Sequence, residues 1–271
     1  MTSHRDTMNR LDLLEAQSIF ILREAFATLD NLGILWSLGK DSNTVVHLAR
    51  KAFFGHLPIP LVHLDTGLEF DEAYAFRDHY AEAFQIKLIA DACPPLERTD
   101  ATLPPGARIA ARKTLGLSEA IAKYQFGGVF LGIRRDEQAI RAKERVFSPR
   151  NADGSWDLAN QPPEFWDQYN TRAPEGGHVR IHPLLQWTEL DVWRYIAREN
   201  IPIPSLYFAK DGWRYRSLGE KGITTPIASD ADTVEAIIAE LELTRTEERS
   251  GRTMDHESED AFERLRASGY M

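Results

Sequence analysis

The chain has 271 residues, 43% of them hydrophobic, which suffices for one large core or for one core with a smaller appendage. Its formal net charge of −9 argues against a general binder of nucleic acids or membrane surfaces, because such proteins usually present broad basic faces. The single cysteine, Cys93, excludes a disulfide framework and a paired-cysteine site, and no run of about 18 apolar residues suggests a membrane span, so we expect a soluble cytoplasmic protein.

The first half of the chain alternates helix and strand patterns. A leading helix is predicted over residues 11–29 from the spacing of its apolar residues. Strands are predicted at 33–36, 59–64, 87–90 and 128–132, with helices at 43–54, 71–84 and 118–124 between them. Strands separated by helices predict an α/β fold, in which a parallel sheet is wound with helices on both faces.

Two proline-rich stretches interrupt this pattern. Residues 93–108 carry four prolines and are predicted to form a long loop. Residues 148–178 are rich in Pro, Gly and Asn but contain four large aromatic residues, which favours an irregular segment packed on the body. Such a segment could cover a substrate.

The second half of the pattern begins with a strand and a helix within residues 179–200. Thr188 is a plausible N-cap of that helix, with Asp191 three residues later reaching back. Beyond this point the chain is polar and short of strand patterns. We therefore predict an α/β domain over 1–200, which the loop described next makes a candidate for nucleotide binding. A mostly helical or irregular C-terminal extension is predicted over 201–271, packed on that domain and not independent of it.

The stretch "SLGKDS", residues 37–42, lies between the first predicted strand and a helix. It is not a Walker A loop, because Asp41 stands where that loop needs a hydroxyl residue. It still offers the parts of an anion cradle: Gly39 permits close backbone approach, Ser37 and Ser42 offer hydroxyls, and Lys40 adds a charge beside the free amides of the helix. The alternative is an ordinary turn in which Ser42 caps the helix and Lys40 is solvated.

Several stretches in order along nearly the whole chain resemble the small, catalytic subunit of sulfate adenylyltransferase, in the ATP pyrophosphatase and PAPS reductase-like superfamily. They are "SLGKDS", "GKDSNTVVHLARKAFF", "LVHLDTGLEFDEAYAFRD", "GIRRDEQAIRAKERVFSPR", "WTELDVWRYI" and "ERSGR". The resemblance implies an adenine nucleotide alpha hydrolase-like fold. It also implies transfer of an adenylyl group from ATP to sulfate, with Mg²⁺ on the ATP phosphates and a GTPase large subunit as a possible partner.

The same resemblance implies where ATP binds. The loop residues would hold the pyrophosphate that leaves, and "LDTG" would lie beside the adenosine. In a parallel sheet ligands bind beyond the carboxyl ends of strands where the winding reverses, so the "SLGKDS" and "GIRRDE" loops should face one crevice. The predicted nucleotide-binding residues are Ser37, Gly39, Asp41, Ser42, Asp65, Thr66, Gly67 and Gly132, with Lys40 as a catalytic residue. No protein ligand for a metal is predicted.

A basic run from residue 134 to residue 150 reverses the sign of this acidic chain, with six basic residues against three acidic ones. Sulfate and the ATP α-phosphate repel each other, and fixed cations can offset that repulsion. Part of the run should be solvated: Glu137 and Arg141 are spaced for an i,i+4 ion pair, and we assign Arg141 to the surface. The predicted catalytic residues of the run are Arg134, Arg135, Lys143 and Arg145; which of them contacts sulfate stays open.

Other functions remain to be weighed. A thiol-dependent PAPS reductase needs a cysteine near its C-terminus, and none follows Cys93. An adenylyltransferase for another acceptor, such as flavin mononucleotide or a sulfonate, remains open, as does a non-catalytic nucleotide-binding subunit. The chain departs from the family between Tyr207 and Leu218, where it is shorter, and reads "LGEKGITTPI" in place of Leu-Gly-Cys-Trp-Pro-Leu. Because of this departure, the sequence does not determine the contact with a partner or the wall of the acceptor pocket. The tail at 246–252 is a candidate phosphate site or interface.

Overall fold

A six-stranded sheet forms the centre of the computed structural model, which describes residues 9–137, 139–244 and 248. The strands are β1 Leu32–Leu35, β2 Leu61–Asp65, β3 Leu88–Ala92, β4 Gly128–Phe130, β5 Phe147–Arg150 and β6 His178–Ile181. Their order is β3-β2-β1-β4-β6-β5, and every neighbouring pair is parallel except β5 with β6. The winding therefore reverses between β1 and β4.

In the described part of the chain, six α-helices surround the sheet: α1 Arg10–Thr28, α2 Lys40–Ala52, α3 Asp71–Ala83, α4 Pro105–Tyr124, α5 Glu189–Glu199 and α6 Val234–Leu243. The sheet separates two apolar cores, because successive strand residues point to opposite faces. Ile34 belongs to the larger core, which α1, α2 and α5 cover, whereas Leu35 belongs to a smaller core beneath α4. The predicted α/β class, with helices on both faces of a largely parallel sheet, is confirmed.

Several element predictions need correction. Residues 93–108 are not a loop throughout, because α4 begins at Pro105; proline suits this first helical position, whose N–H has no partner within the helix. Strand β5 was not predicted, since Pro149 argues against a central strand, but β5 lies at the sheet edge where proline is tolerated. The C-terminal region also contains a short antiparallel pair, β7 Trp213–Arg214 and β8 Ile227–Ala228.

Other features agree with expectation. The predicted capping box is present: the Thr188 side chain accepts the Asp191 N–H, and the Asp191 carboxylate accepts the Thr188 N–H. Helix α6 packs on α5, so this part of the C-terminal region contacts the sheet domain. In the described ranges, no helix combines the length and apolarity needed to cross a membrane. The division of the chain at residue 200 stays a prediction.

Candidate active site

A cavity of about 240 Å³ opens at the carboxyl ends of β1, β2 and β4, where the winding of the sheet reverses. Its walls come from the loop after β1, the end of β2, one face of α4, the loop after β4 and the C-terminal region. The two loops that the sequence placed at one crevice both line it. Ligand sites of wound α/β sheets lie at this position.

The loop after β1 contributes five predicted residues to the cavity wall: Ser37, Gly39, Lys40, Asp41 and Ser42. Lys40 is the first residue of α2 and only 1% exposed, so the alternative of a turn with a solvated lysine is wrong. The Ser42 hydroxyl donates to the Gly39 carbonyl at 3.0 Å and makes no cap to the helix amides. The amides at the start of α2 therefore receive no cap from the N-cap residue Gly39 or from Ser42.

The backbone of this loop is held in an unusual conformation. Leu38, a buried non-glycine residue, has a φ of 65°, in the left-handed region that costs a side-chain-bearing residue of order 1–3 kcal/mol. Gly132 lets the loop after β4 approach, since a Cβ there would lie 2.9 Å from the backbone of Asp41 and Ser42. Gly132 therefore allows the loops after β1 and β4 to pack closely against each other.

Four charged side chains meet beside the cavity; Lys40, Asp41 and Glu248 line it, whereas the buried Arg134 does not. Lys40 Nζ lies 3.0 Å from Asp41 Oδ2 and contacts Glu248, and the Arg134 guanidinium contacts both of these carboxylates. Burial alone would lower the pKa of Lys40, but Asp41 and Glu248 more than offset it and the pKa lies above its ordinary value. Burial alone would raise the pKa of Glu248, but Lys40 and Arg134 hold it well below its ordinary value. Lys40, Arg134 and Glu248 are therefore charged at neutral pH.

Glu248 is the described member of the C-terminal stretch 246–252 that the sequence marked as a candidate phosphate site. It places a buried carboxylate on the two cations of the loop region. Residues 246–247 and 249–252 lie outside the described residues. An anion that binds Lys40 and Arg134 must therefore compete with Glu248.

Tyr207 is a cavity residue that the sequence did not reveal. Its buried hydroxyl accepts the backbone N–H of Lys40 at 2.8 Å, at the start of α2. Burial raises its pKa to about 12, so the hydroxyl stays protonated and can also donate. No local pattern could have linked residue 207 to residue 40, because the contact depends on how the C-terminal region folds back.

The predicted adenosine-side residues lie at the end of β2, beside the cavity and not in its wall. Asp65 accepts the Gly67 N–H at 2.8 Å and the Tyr74 hydroxyl at 2.7 Å. Thr66 is buried and Gly67 is exposed with a positive φ of 73°. In the structure, Asp65 thus stabilises the turn that follows β2 through these two hydrogen bonds.

The cavity wall near β2 carries a lysine that the sequence analysis also missed. Lys113 on α4 lies 3.5 Å from Glu69 and 3.2 Å from Glu220, and all three line the cavity. Burial alone would lower the pKa of Lys113, but the two carboxylates raise it above its ordinary value. Glu220 lies in "LGEKGITTPI". The departure of this stretch from the family is the feature of the sequence that could have indicated this part of the cavity wall.

The residues of the basic run lie in different surroundings in the structure. Arg134 is fully buried in the charged cluster, whereas Arg135 donates to the Glu144 carbonyl at 3.1 Å and Arg145 to the Lys143 carbonyl at 3.4 Å. None of the four predicted catalytic residues of the run lines the cavity, Arg134 included, and Lys143 is exposed.

The assignment of Arg141 to the surface is wrong. Arg141 is 3% exposed, lines the cavity and forms the expected ion pair with Glu137. The physical reason is that the segment folds as two short 3₁₀ turns, Arg135–Glu137 and Ala139–Lys143, instead of a solvated helix. A surface assignment from i,i+4 spacing presumes a regular helix.

Among the described residues, the group that could hold a metal ion comprises His63, Asp65 and Glu69, whose ligand atoms lie within 4.8 Å of one another. Its atoms already have other neighbours, since His63 Nε2 lies 2.9 Å from Glu69 Oε2 and the Lys113 ammonium lies beside Glu69. A neighbouring ammonium opposes a second cation. We therefore assign no metal to this group.

Comparison with known proteins agrees with this geometry. Residues 31–226 match the family model described as the phosphoadenosine phosphosulfate reductase domain. Among solved structures, Candida glabrata FMN adenylyltransferase in complex with ATP aligns with a TM-score of 0.55 and 17% identity, over 80% of this chain and 63% of that chain. The phosphoadenylyl-sulfate reductase of Candida auris aligns with a TM-score of 0.51 and 16% identity, over 81% of this chain and 98% of that chain. These structures share the fold, and the family model gives the class: the chain is an α/β protein with a phosphoadenosine phosphosulfate reductase domain.

Closer relatives narrow the class. Sulfate adenylyltransferase subunit 2 of Geobacter metallireducens is 41% identical over 299 residues, covering 98% of this chain and 99% of the relative. Sulfate adenylyltransferase subunit 2 of Pseudomonas putida is 40% identical over 304 residues with the same coverage. The chain belongs to the sulfate adenylyltransferase subunit 2 family, and the resemblance predicted from its sequence is confirmed.

Proposed function

We propose that this chain is a nucleotidyltransferase that moves the adenylyl group of ATP to sulfate, forming adenosine 5′-phosphosulfate and pyrophosphate. One observation carries the proposal: in a member of this family, two buried cations lie at the switch point of the sheet, Lys40 at the start of α2 in the cavity wall and Arg134 in the loop after β4, and both contact Asp41 and Glu248.

The reaction needs a place for a leaving anion. A sulfate oxygen forms a bond to the α-phosphorus as the bond from that phosphorus to the bridging oxygen breaks, and pyrophosphate leaves with the electron pair. Sulfate is fully ionised at neutral pH and is itself the nucleophile, so no general base is required. Lys40, Arg134 and the positive end of helix α2 stabilise the charge that develops on the pyrophosphate.

Binding of ATP exchanges one set of anions for another. Asp41 and Glu248 neutralise Lys40 and Arg134 in the free chain, and the ATP phosphates take over this role. Asp41 and Glu248 each contact both Lys40 and Arg134. Because these two carboxylates are already paired with cations, we expect Mg²⁺ to be held mainly by the ATP phosphates and water.

The second anion, sulfate, needs its own cations. Arg135, Lys143 and Arg145 remain proposed for this role from the sequence, and Arg141 joins them because it lines the cavity. Their approach to the reacting atoms would require the 3₁₀ segment after β4 to adjust, since Arg135 and Arg145 bind backbone carbonyls in the free chain. Asp65, Thr66 and Gly67 remain proposed for the adenosine side.

An acceptor panel tests the proposal. Purified chain is incubated with ATP, Mg²⁺, a pyrophosphatase and one of sulfate, molybdate, a sulfonate or flavin mononucleotide, and the nucleotide products are identified. We expect adenosine 5′-phosphosulfate from sulfate. Formation of flavin adenine dinucleotide with no product from sulfate would favour the other adenylyltransferase. If no acceptor led to phosphate, which the pyrophosphatase forms from released pyrophosphate, a non-catalytic subunit would be favoured.

The name of the relatives, subunit 2, motivates a proposal about partners. Sulfate adenylation runs uphill, and the sequence carries no G-x-x-x-x-G-K-[ST] loop for a second nucleotide. We expect a GTPase subunit on a separate chain, acting in the cytoplasm. Co-purification from the host followed by GTP-dependent turnover checks this. Recovery of the chain alone, with synthesis independent of GTP, would instead show that the shortened segment at 207–218 marks a partner-free variant.

A further inference from the structure

A second cavity, of about 380 Å³, lies between helices α2 and α3 and the end of α5. Helix α2 packs on α1 and α5, but its backbone hardly approaches that of α3, so space is left between them. The volume falls within the range of about 300–1,000 Å³ that is usual for small-molecule sites. Among the described residues, Trp36 alone lines both this cavity and the catalytic cavity, so the two cavities are distinct.

One wall of this second cavity is aromatic. Phe76, Tyr80 and Phe84 lie four residues apart, so their side chains follow one another along one side of α3. The ring centroids are 4.5 Å apart for Phe76 and Tyr80 and 5.3 Å apart for Tyr80 and Phe84. All three rings are half-buried and line the cavity. A planar ring that enters the cavity therefore meets a continuous aromatic surface.

Another wall, formed by one face of α2, carries the cation Arg50. Its guanidinium carbon lies 3.9 Å from the centroid of the Phe84 ring, and this stacking fixes the plane of the group. Arg50 Nε is buried without a hydrogen-bond partner, and no carboxylate pairs with the guanidinium, within the described part of the chain. Buried polar groups are normally paired, so the Nε edge of Arg50 lacks the acceptor that its burial requires.

The acidic residue of the cavity wall, Glu199, does not supply that acceptor. Glu199 Oε2 lies 3.1 Å from Lys51 Nζ, and Glu199 Oε1 accepts from Arg198 Nε at 2.9 Å. Burial alone would raise the pKa of Glu199, but Lys51 and Arg198 lower it below its ordinary value, so the carboxylate is charged and already paired. His47 Nε2 lies 3.5 Å from this carboxylate, and burial lowers the pKa of His47, so its ring is mostly neutral at pH 7. Arg50 is thus the cation of the described cavity wall that has no counter-charge.

We propose that this second cavity binds a small planar aromatic anion, with its ring against Phe76 and Tyr80 and its carboxylate or phosphate group on Arg50. The Nε edge of a guanidinium group presents two parallel N–H donors, which match two oxygens of such a group. The aromatic wall favours a ligand with a ring over an inorganic anion, because an inorganic anion would leave that apolar surface uncovered. The site lies outside the catalytic cavity, and the inference does not rest on the proposed adenylyl transfer.

Calorimetric titration of the full chain tests the proposal. The probes are para-hydroxybenzoate, an aromatic carboxylate, and guanosine 5′-monophosphate, a nucleobase with a phosphate, each at an ionic strength held constant with sodium chloride. Two control compounds separate the two features: para-hydroxybenzyl alcohol has the ring without the charge, and acetate has the charge without the ring. We expect saturable binding of one or both probes, at least tenfold tighter than that of either control compound. No saturable binding of either probe, or equal binding of a control compound, would overturn the proposal.

Matched variants locate the site. Arg50→Met keeps an unbranched side chain but removes the charge, and Phe84→Leu is the second variant if the first fails to fold. Each should weaken binding of the aromatic anion at least tenfold. Arg23→Met should leave binding unchanged, because Arg23 also lies over a phenylalanine ring, 5.3 Å from the centroid of Phe54, but does not line the cavity. Undiminished binding in folded Arg50→Met or Phe84→Leu, or loss of binding in Lys40→Met alone, would place the ligand elsewhere and overturn the proposal.

Discussion

Lys40 is the residue on which the proposed chemistry depends most directly. Its ammonium group is buried at the start of α2, where it can stabilise the leaving pyrophosphate. We predict that Lys40→Met lowers kcat by about 10²–10³, the usual effect of losing one preorganised donor or charge. Lys51→Met is the matched control on the same helix, because Lys51 is half-exposed outside the cavity. Steady-state kinetics on folded protein decides this, and unchanged turnover in Lys40→Met would remove the loop from the mechanism.

Glu248 competes with the substrate for the same cations. We predict that Glu248→Gln binds inorganic pyrophosphate about tenfold more tightly, since hydrogen bonds to charged groups are worth about 1.5–3 kcal/mol. The free variant should also melt at a lower temperature, because Lys40 and Arg134 lose a buried counter-charge. Calorimetric titration with pyrophosphate measures the first effect. Glu242→Gln, at an exposed ion pair, serves as control, and equal or weaker binding by Glu248→Gln would contradict the competition.

Arg141 and Arg145 offer a paired test of the basic run. Arg141 lines the cavity and Arg145 does not, although only Arg145 was assigned a catalytic role from the sequence. We predict that Arg141→Gln lowers kcat/KM for sulfate more than Arg145→Gln does, with little change in ATP affinity for either. Circular dichroism controls for folding, because Arg141 is ion-paired with Glu137 in the interior. A larger effect at Arg145 would show that the segment rearranges when substrates bind.

At the scale of elements, strand β6 and the residue that follows it, His182, make the stability of the fold depend on pH. Burial is the largest cause that lowers the pKa of His178 to about 3 and that of His182 to about 4. The unfolded chain binds protons at these histidines from about pH 6.5 downward, while the folded chain does not until near pH 4 or below. Stability from the neutral histidines is therefore complete above pH 6.5 and declines as the pH falls.

The change of the free energy of unfolding with pH can be measured. Each histidine contributes up to about 1.36 kcal/mol per pH unit below pH 6.5, so unfolding by urea should require less denaturant at pH 5 than at pH 7. His178→Gln should reduce that dependence by roughly half of the histidine contribution. A free energy of unfolding that is flat between pH 7 and pH 5 would show that these rings titrate normally in the folded chain.

The elements also show what sequence patterns can predict. The β-loop-α unit around residue 37, the parallel sheet and the Thr188 capping box follow from local periodicity and hydrogen-bonding chemistry, and they are present. Strand β5 and the first turns of α4 could not be predicted from proline content alone. Proline is excluded from helix interiors and central strands, but Pro105 is at a helix start and Pro149 at a sheet edge.

At the scale of the whole molecule, the site combines local motifs with contacts that the chain makes only after folding. The loop residues Lys40 and Asp41 were found from the sequence, because their chemistry is contained in six consecutive positions. Tyr207 and Glu248 approach that loop from more than 160 residues away. Lys113 stands out only when α4 is packed beside Glu69. Such contacts depend on the topology of the fold, and the local patterns of a single sequence do not specify them.

The central claim, adenylyl transfer between sulfate and pyrophosphate at the Lys40 cavity, is tested most directly in the downhill direction. Purified chain is supplied with adenosine 5′-phosphosulfate, pyrophosphate and Mg²⁺, and the appearance of ATP is followed; no energy-coupling partner is needed for this direction. Flavin adenine dinucleotide replaces the phosphosulfate in a parallel reaction. We predict ATP from adenosine 5′-phosphosulfate, formed about 10²–10³ more slowly by Lys40→Met. Absence of ATP from the phosphosulfate, or its formation only from flavin adenine dinucleotide, would contradict the account.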